Sequence, residues 1–240
     1  MKIEGLQKLT LLDYPEKVAC TVFTGGCNLR CPFCHNASLV LEDRGNLVPI
    51  ASQKQGTYTE EEILEFLKKR KGVLDGICIT GGEPLIQKGL AEFIKKIKEL
   101  GYLVKLDTNG TFPERLEELV NAGLVNYVAM DIKNSRELYP VTVGMPEFDT
   151  GPVEESVRFL MEGKVPYEFR TTVVREFHTE ESLRDTGIWI AGSAKYRLQQ
   201  FVDSGDIIHP GLHAWEPETL HKWADMLKTY VSDTEVRGTE

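Results

Sequence analysis

The sequence predicts an α/β fold, with parallel strands and intervening helices in one domain, curled as an open partial barrel or laid out as a doubly wound sheet. Three observations carry this prediction. Short runs rich in Val, Ile, Thr and Tyr alternate with longer runs that keep the helical period. Several short runs are apolar almost throughout, as strands buried on both faces are. The β-then-α unit repeats six times without a break in composition, and such repeats build a parallel sheet through right-handed crossovers.

The strands are placed at Val18–Phe23, Gly76–Thr80, Leu103–Asp107, Tyr127–Ile132, Tyr167–Val174 and Tyr196–Val202. Helices lie between them. Thr59 and Glu62 form a capping-box pair ahead of Ile63, Leu64 and Leu67. Leu90, Phe93, Ile94, Ile97 and Leu100 keep the helical period, and Gly101 stops it. Pro113 and Pro152 suit first-turn positions. A further helix is expected at Thr179–Ile190, and Pro217 opens the last, with Leu220, Trp223, Ala224 and Leu227 on one face. The domain is expected to span residues 1–232, with 233–240 a disordered tail. The His35–Tyr58 connection is long enough to suggest a functional or mobile segment. In either architecture, ligands collect at the carboxyl ends of the strands.

Composition narrows the function. The chain has 240 residues, 41% hydrophobic and 27% charged, as expected for a packed core. A net charge of −9 argues against a broad phosphate-binding surface and so against nucleic acid. Met1-Lys2-Ile3-Glu4 is not followed by the apolar stretch of a signal peptide. No apolar run reaches membrane-spanning length, and the expected location is the cytoplasm.

Five cysteines are present: Cys20, Cys27, Cys31, Cys34 and Cys78. An odd number, with three inside eight residues, makes a poor disulfide framework and a good metal-binding loop. Cys27, Cys31 and Cys34 are spaced C-x3-C-x2-C directly after the first of the six strands. Three thiolates at that spacing can ligate three irons of one compact cluster, whereas an electron-transfer [4Fe–4S] cluster takes four cysteines. With no fourth nearby, one iron stays open. Zinc is the plainer alternative, since three cysteines and one histidine make a standard structural set. His35 is the nearest candidate, but it adjoins Cys34, while His178, His209, His213 and His221 are remote in the chain. Cys20 and Cys78 read as small apolar side chains within strands.

With Phe33 just before its last cysteine, this loop resembles the signature of the radical SAM superfamily, and Gly81-Gly82-Glu83-Pro84 after the next strand resembles that family's Gly-Gly-Glu-Pro turn. The resemblance implies a partial (β/α)6 barrel of parallel strands, a [4Fe–4S] cluster on Cys27, Cys31 and Cys34 with an open iron, and S-adenosylmethionine (SAM) bound to that iron. It also implies SAM contacts from Phe33, Cys34, His35, Gly81, Gly82, Glu83 and Pro84, with Glu83 and exposed carbonyls receiving the ammonium group. Leu106-Asp107-Thr108-Asn109-Gly110 and Met130-Asp131-Ile132-Lys133 resemble the next two strand-end motifs. By that resemblance Asp107, Thr108, Asn109, Asp131 and Lys133 are candidates for the ribose hydroxyls and the methionine carboxylate. Arg170 is a further candidate, against a structural ion pair.

Gly5 to Lys17, with its Asp13-Tyr14-Pro15, and Cys34-His35-Asn36 resemble the glycyl-radical-enzyme activases within that superfamily. That implies reductive cleavage of SAM and transfer of the radical to a glycine of a partner. The expected partner is anaerobic ribonucleoside-triphosphate reductase or, alternatively, pyruvate formate-lyase, with flavodoxin or ferredoxin as reductant. A small-molecule substrate is the enzymatic alternative. No cysteine lies between Cys34 and Cys78 or after Cys78, so one cluster is expected.

Overall fold

Eight strands form one sheet whose spatial order follows the order of the chain. In the computed structural model, which describes residues 1–41 and 58–239, β1 (Ile3–Thr10) turns back to pair antiparallel with β2 (Ala19–Thr24). From β2 onward every neighbouring pair is parallel. The strands are β3 (Gly76–Gly81), β4 (Leu103–Thr108), β5 (Tyr127–Asp131), β6 (Tyr167–Val173), β7 (Tyr196–Gln200) and β8 (Thr234–Arg237). The crossovers carry α1 (Ala37–Val40), α2 (Glu60–Lys69), α3 (Leu90–Glu99), α4 (Pro113–Asn121), α5 (Tyr139–Thr142), α6 (Gly151–Met161), α7 (Glu180–Trp189) and α8 (Pro217–Leu227). Among the described residues no helix is long and apolar enough to cross a membrane.

The strand order agrees with the partial barrel that the resemblance implies and not with the doubly wound sheet. A doubly wound sheet reverses direction at a switch point. Here the order never reverses, so right-handed crossovers put the helices on one face. The sheet is therefore the mostly parallel wall of a partial barrel. Its outer face carries Ile77, Ile79, Val104, Leu106, Val128, Met130, Phe169 and Leu198, all fully buried. Its inner face is polar. Alternation along the strands and the pairings Cys78 with Lys105, Asp131 with Arg170, and Thr172 with Gln199 put those residues on the lumen side.

The helices form where local chemistry calls for them. Thr59 caps α2 by accepting the Glu62 N–H at 3.1 Å, while Glu62 accepts the Thr59 N–H at 2.8 Å. Leu90, Phe93, Ile94 and Ile97 of α3 are buried, and Gly101 follows at φ +91°, the left-handed conformation that ends a helix. Thr179 and Ser182 cap α7 reciprocally. Most of the His35–Tyr58 connection lies outside the described residues.

Two strands were not expected. β1 lies in the segment whose sequence resembles the activase lead-in, and the polar pair Gln7-Lys8 interrupts its apolar alternation. Its hairpin places Asp13-Tyr14-Pro15 before the start of β2, at the end of the barrel opposite the cysteine loop. There Asp13 accepts the Thr21 hydroxyl, and the buried Tyr14 ring meets Tyr127 at 6.2 Å and packs against Gly76. This part of the activase-like lead-in is thus a floor of the barrel.

The second correction concerns the tail. Residues 234–237 are β8, paired parallel to β7. Thr234-Glu235-Val236-Arg237 alternates with the strand period but is too short to stand out in a chain terminus, and a partner 69 residues away helps to order it. The Arg237 guanidinium binds both oxygens of Glu168 at 2.9 Å, and the Glu168 side chain is 1% exposed. Deleting residues 233–240 removes this fork and the β7 pairing. It should lower the unfolding free energy by about 3 kcal/mol or more, the cost of stranding a buried ion, as read by urea denaturation.

Candidate functional site

The carboxyl ends of β2 to β7 surround one cavity of about 220 Å³. Cys27, Cys31 and Cys34 all line it, and all are free thiols. Cys20 and Cys78 are buried within β2 and β3. The Cys78 thiol donates to Asp107 at 3.6 Å.

Backbone bonds shape the cysteine loop. The Gly26 N–H donates to the Leu39 carbonyl at 2.7 Å, and the Gly26 carbonyl accepts the Glu83 N–H at 2.8 Å. The Arg30 N–H donates to Val143 at 3.1 Å, tying the loop to the end of α5. Gly82 packs so tightly on Gly26 that an added Cβ would sit 1.8 Å from the Gly26 oxygen. The Gly-Gly turn is therefore required for loop-to-loop contact, and Gly81 and Gly82 line the cavity.

Glu83 lies behind the wall of the cavity rather than in it. It is fully buried, and neither it nor Pro84 lines the cavity. One carboxylate oxygen accepts the Leu85 N–H at 3.0 Å and the Thr108 hydroxyl at 2.9 Å, and the other accepts the Asn109 N–H at 2.7 Å. Burial pushes its pKa up to about 7, against the pull of these donors. Glu83 is thus a clamp between the ends of β3 and β4. Glu83→Ala leaves three buried donors without their acceptor and should cost about 3 kcal/mol, measured as a fall in the urea midpoint of the apoprotein.

The lumen carries a row of charges. Asp107 pairs with Lys105 and, at 3.1 Å, with Arg170. Arg170 also reaches Asp131 at 2.9 Å, and Asp131 pairs with Lys133 at 2.9 Å. Three cations against two carboxylates leave one net positive charge. Burial alone would raise Asp131, but Arg170 and Lys133 outweigh it and hold its carboxyl well below the usual range. Burial opposes charge on Arg170, yet Asp107 and Asp131 keep it firmly protonated. The structural ion pair weighed for Arg170 is real, and Arg170 still lines the cavity.

Burial pushes the Cys27 thiol up to about 11 and Cys31 up to about 12. Lys133 pulls in the other direction at all three thiols. The Asn109 amide lies 3.8 Å from the Cys27 sulfur and donates to the Asn28 side chain at 3.0 Å.

Thus Phe33, Cys34, His35, Gly81, Gly82, Asp107, Thr108, Asn109, Asp131, Lys133 and Arg170 come together at one cavity, while Glu83 and Pro84 do not. The Phe33 ring is 2% exposed and packs on Phe177 and His178 at 5.7 and 6.2 Å, so it belongs largely to the core. Asn36, Thr172 and Gln199 also line the cavity and were missed. Thr172 was findable, because it stands two residues beyond Arg170 on the same strand face. His178, remote in sequence, supports the site from below. Its Nδ1 accepts the Val174 N–H at 3.0 Å, which leaves Nε2 to donate to the Lys133 carbonyl at 2.7 Å. Burial lowers its pKa, against the pull of the backbone bonds to Lys133 and Val174.

The donor set fits an iron–sulfur cluster with three protein ligands. Three thiols share one cavity, a cation stands beside them, and the remaining two cysteines are held elsewhere. The zinc set of three cysteines with His35 finds less support, because the His35 ring packs toward Phe201 at 5.6 Å. Among the described residues, no three His, Cys, Asp or Glu side chains are grouped as ligands of a single ion.

Comparisons with known proteins agree with this geometry. The family model described as the radical SAM superfamily matches residues 21–190. A Methanocaldococcus jannaschii protein whose assigned name is glycyl-radical enzyme activating enzyme is 32% identical over 98% of this chain and 95% of its own length. A GTP 3′,8-cyclase of Aquifex aeolicus is 28% identical over 83% of this chain, which spans 61% of that relative. The crystal structure of Streptococcus suis SuiB bound to precursor peptide SuiA aligns with a TM-score of 0.67 over 91% of this chain and 48% of that one, at 13% identity, a likeness of fold. By its family match and its near-full-length relative, the chain belongs to the radical SAM superfamily, whose enzymes use a [4Fe–4S] cluster and S-adenosylmethionine.

Proposed function

We propose that this enzyme activates a glycyl-radical enzyme, holding its cluster on Cys27, Cys31 and Cys34. The observation that carries the cluster assignment is the gathering of three free thiols at one cavity, with no fourth cysteine lining it. The near-full-length match to the M. jannaschii relative supports the activase reading, as do Asp13-Tyr14-Pro15 and Cys34-His35-Asn36. The partial coverage of the cyclase supports a small-molecule reaction less well.

When bound, the cluster supplies the electron for reductive cleavage of SAM. The residues of the chain bind and orient. Lys133, beside the thiols and held by Asp131, offers an ammonium to the methionine carboxylate. Asp107 and Asp131 keep lone pairs for ribose hydroxyls, while Arg170 fixes both carboxylates. Gly81 and Gly82 line the cavity, and a Cβ at either would run into the backbone of Thr24 or Gly26, so only glycine lets the turn close there and offer its backbone to the ligand. His35 and Asn36 border the adenine side, with the Asn36 amide donating to the Gly81 carbonyl at 3.1 Å. Thr108 and Asn109 close the wall at the end of β4. No side-chain acid or base is needed.

The proposed partner is anaerobic ribonucleoside-triphosphate reductase, with pyruvate formate-lyase as the other candidate and flavodoxin or ferredoxin as reductant. The reconstituted enzyme, dithionite and SAM, incubated anaerobically with each partner, should give a glycyl-radical EPR doublet on one of them. Turnover of a small molecule such as GTP, with no radical on either partner, would overturn the activase reading.

A further inference from the structure

The segment after β7 is tied to the cysteine loop by more bonds than a surface connection needs. Asp206 is 1% exposed. Its Oδ1 accepts the Ser38 N–H at 2.8 Å, and its Oδ2 accepts the Ser38 hydroxyl at 2.7 Å. Its carbonyl accepts the Ala37 N–H at 3.3 Å. Further along, the His209 N–H donates to the Pro32 carbonyl at 2.9 Å. Before it, the Phe201 ring meets the ring of His35 at 5.6 Å. These contacts fall on residues on both sides of Cys34.

The reason lies in α1. A four-residue helix cannot hold itself together, and its first N–H groups need outside acceptors. Its N-cap residue, Asn36, makes no side-chain cap, and its amide N–H donates to the Gly81 carbonyl instead. Asp206 supplies the missing acceptors from 168 residues away. In turn α1 closes the cysteine loop, since the Leu39 carbonyl holds the Gly26 N–H, and Gly26 holds Glu83.

We propose that Asp206 is a positioning residue that, through Ser38 and α1, fixes the Cys34-His35-Asn36 segment against the cluster and SAM. This rests on the cluster assignment above. The test compares full-length Asp206→Ala, Asp206→Asn and Ser38→Ala after anaerobic reconstitution. Iron loss to a chelator and the separate KM and kcat for SAM cleavage are the readouts. Asp206→Ala should lose iron about tenfold faster, as outer-shell variants do, and raise the KM for SAM more than it lowers kcat. Asp206→Asn still accepts the Ser38 N–H and can donate to its hydroxyl, so it should stay within about threefold of the wild type. Native iron retention and native KM in Asp206→Ala would overturn the proposal. If that variant does not fold, Ser38→Ala decides, with faster iron loss supporting the proposal and a native rate overturning it. A wild type that takes up no cluster would instead sink the cluster assignment itself.

Discussion

Gly82→Ala is expected to reduce SAM cleavage on the order of 100-fold, the penalty for misplacing reacting groups by about 1 Å. The added Cβ would lie 1.8 Å from the Gly26 oxygen and 2.6 Å from its carbonyl carbon. Both are backbone atoms, so no side-chain rotation relieves the overlap. Gly26 is itself pinned on two sides, to Leu39 and to Glu83. The strain must pass to the next residue, Cys27. Iron content after reconstitution should fall with activity, which separates a displaced ligand from a simple loss of SAM contact. Native iron content and native cleavage in this variant would show that the turn is not a constraint.

Arg170→Ala should destabilise the protein by roughly 3 kcal/mol, the worth of two charge-assisted bonds to half-buried carboxylates that keep Lys105 and Lys133 as their remaining partners. Arg170 is the shared partner of Asp107 and Asp131, and its side chain is 13% exposed. Arg170→Lys should recover only part of this, because an ammonium cannot reproduce a planar fork that spans two acceptors. Urea denaturation of the apoprotein measures both variants. The same substitutions should raise the KM for SAM, since both carboxylates lose the group that orients them.

How much of this was legible in the sequence depends on the distance over which each feature is determined. The cysteine loop was legible because spacing alone keeps Cys27, Cys31 and Cys34 within one turn of chain. The strand-end positions of Asp107, Asp131 and Lys133 followed from strands whose apolar runs are local. The direction in which Glu83 points was not legible, because it is set by Thr108 and Asn109, 25 and 26 residues on. β8 was hidden for a similar reason: four alternating residues are too short a run to read alone, and the Arg237 fork that ties them down rests on Glu168, 69 residues away. Gln199 needed the register with Thr172 to be found. Asp206 has no local signature at all, and only the fold brings it to Ser38. The β-then-α units by themselves leave the winding of the sheet open, because both architectures use them; the family resemblance implied the partial barrel, and the unreversed strand order bears it out.

The most direct test of the account is iron and product analysis of the wild type beside Cys27→Ala, Cys31→Ala and Cys34→Ala. After anaerobic reconstitution with iron and sulfide, the wild type should hold about four irons per chain. With dithionite it should convert SAM to 5′-deoxyadenosine and methionine. Each single variant should lose the cluster and form no 5′-deoxyadenosine, while Cys20→Ala and Cys78→Ala should still assemble it. A colourless wild type binding one zinc, or a cluster that survives Cys31→Ala, would contradict the account.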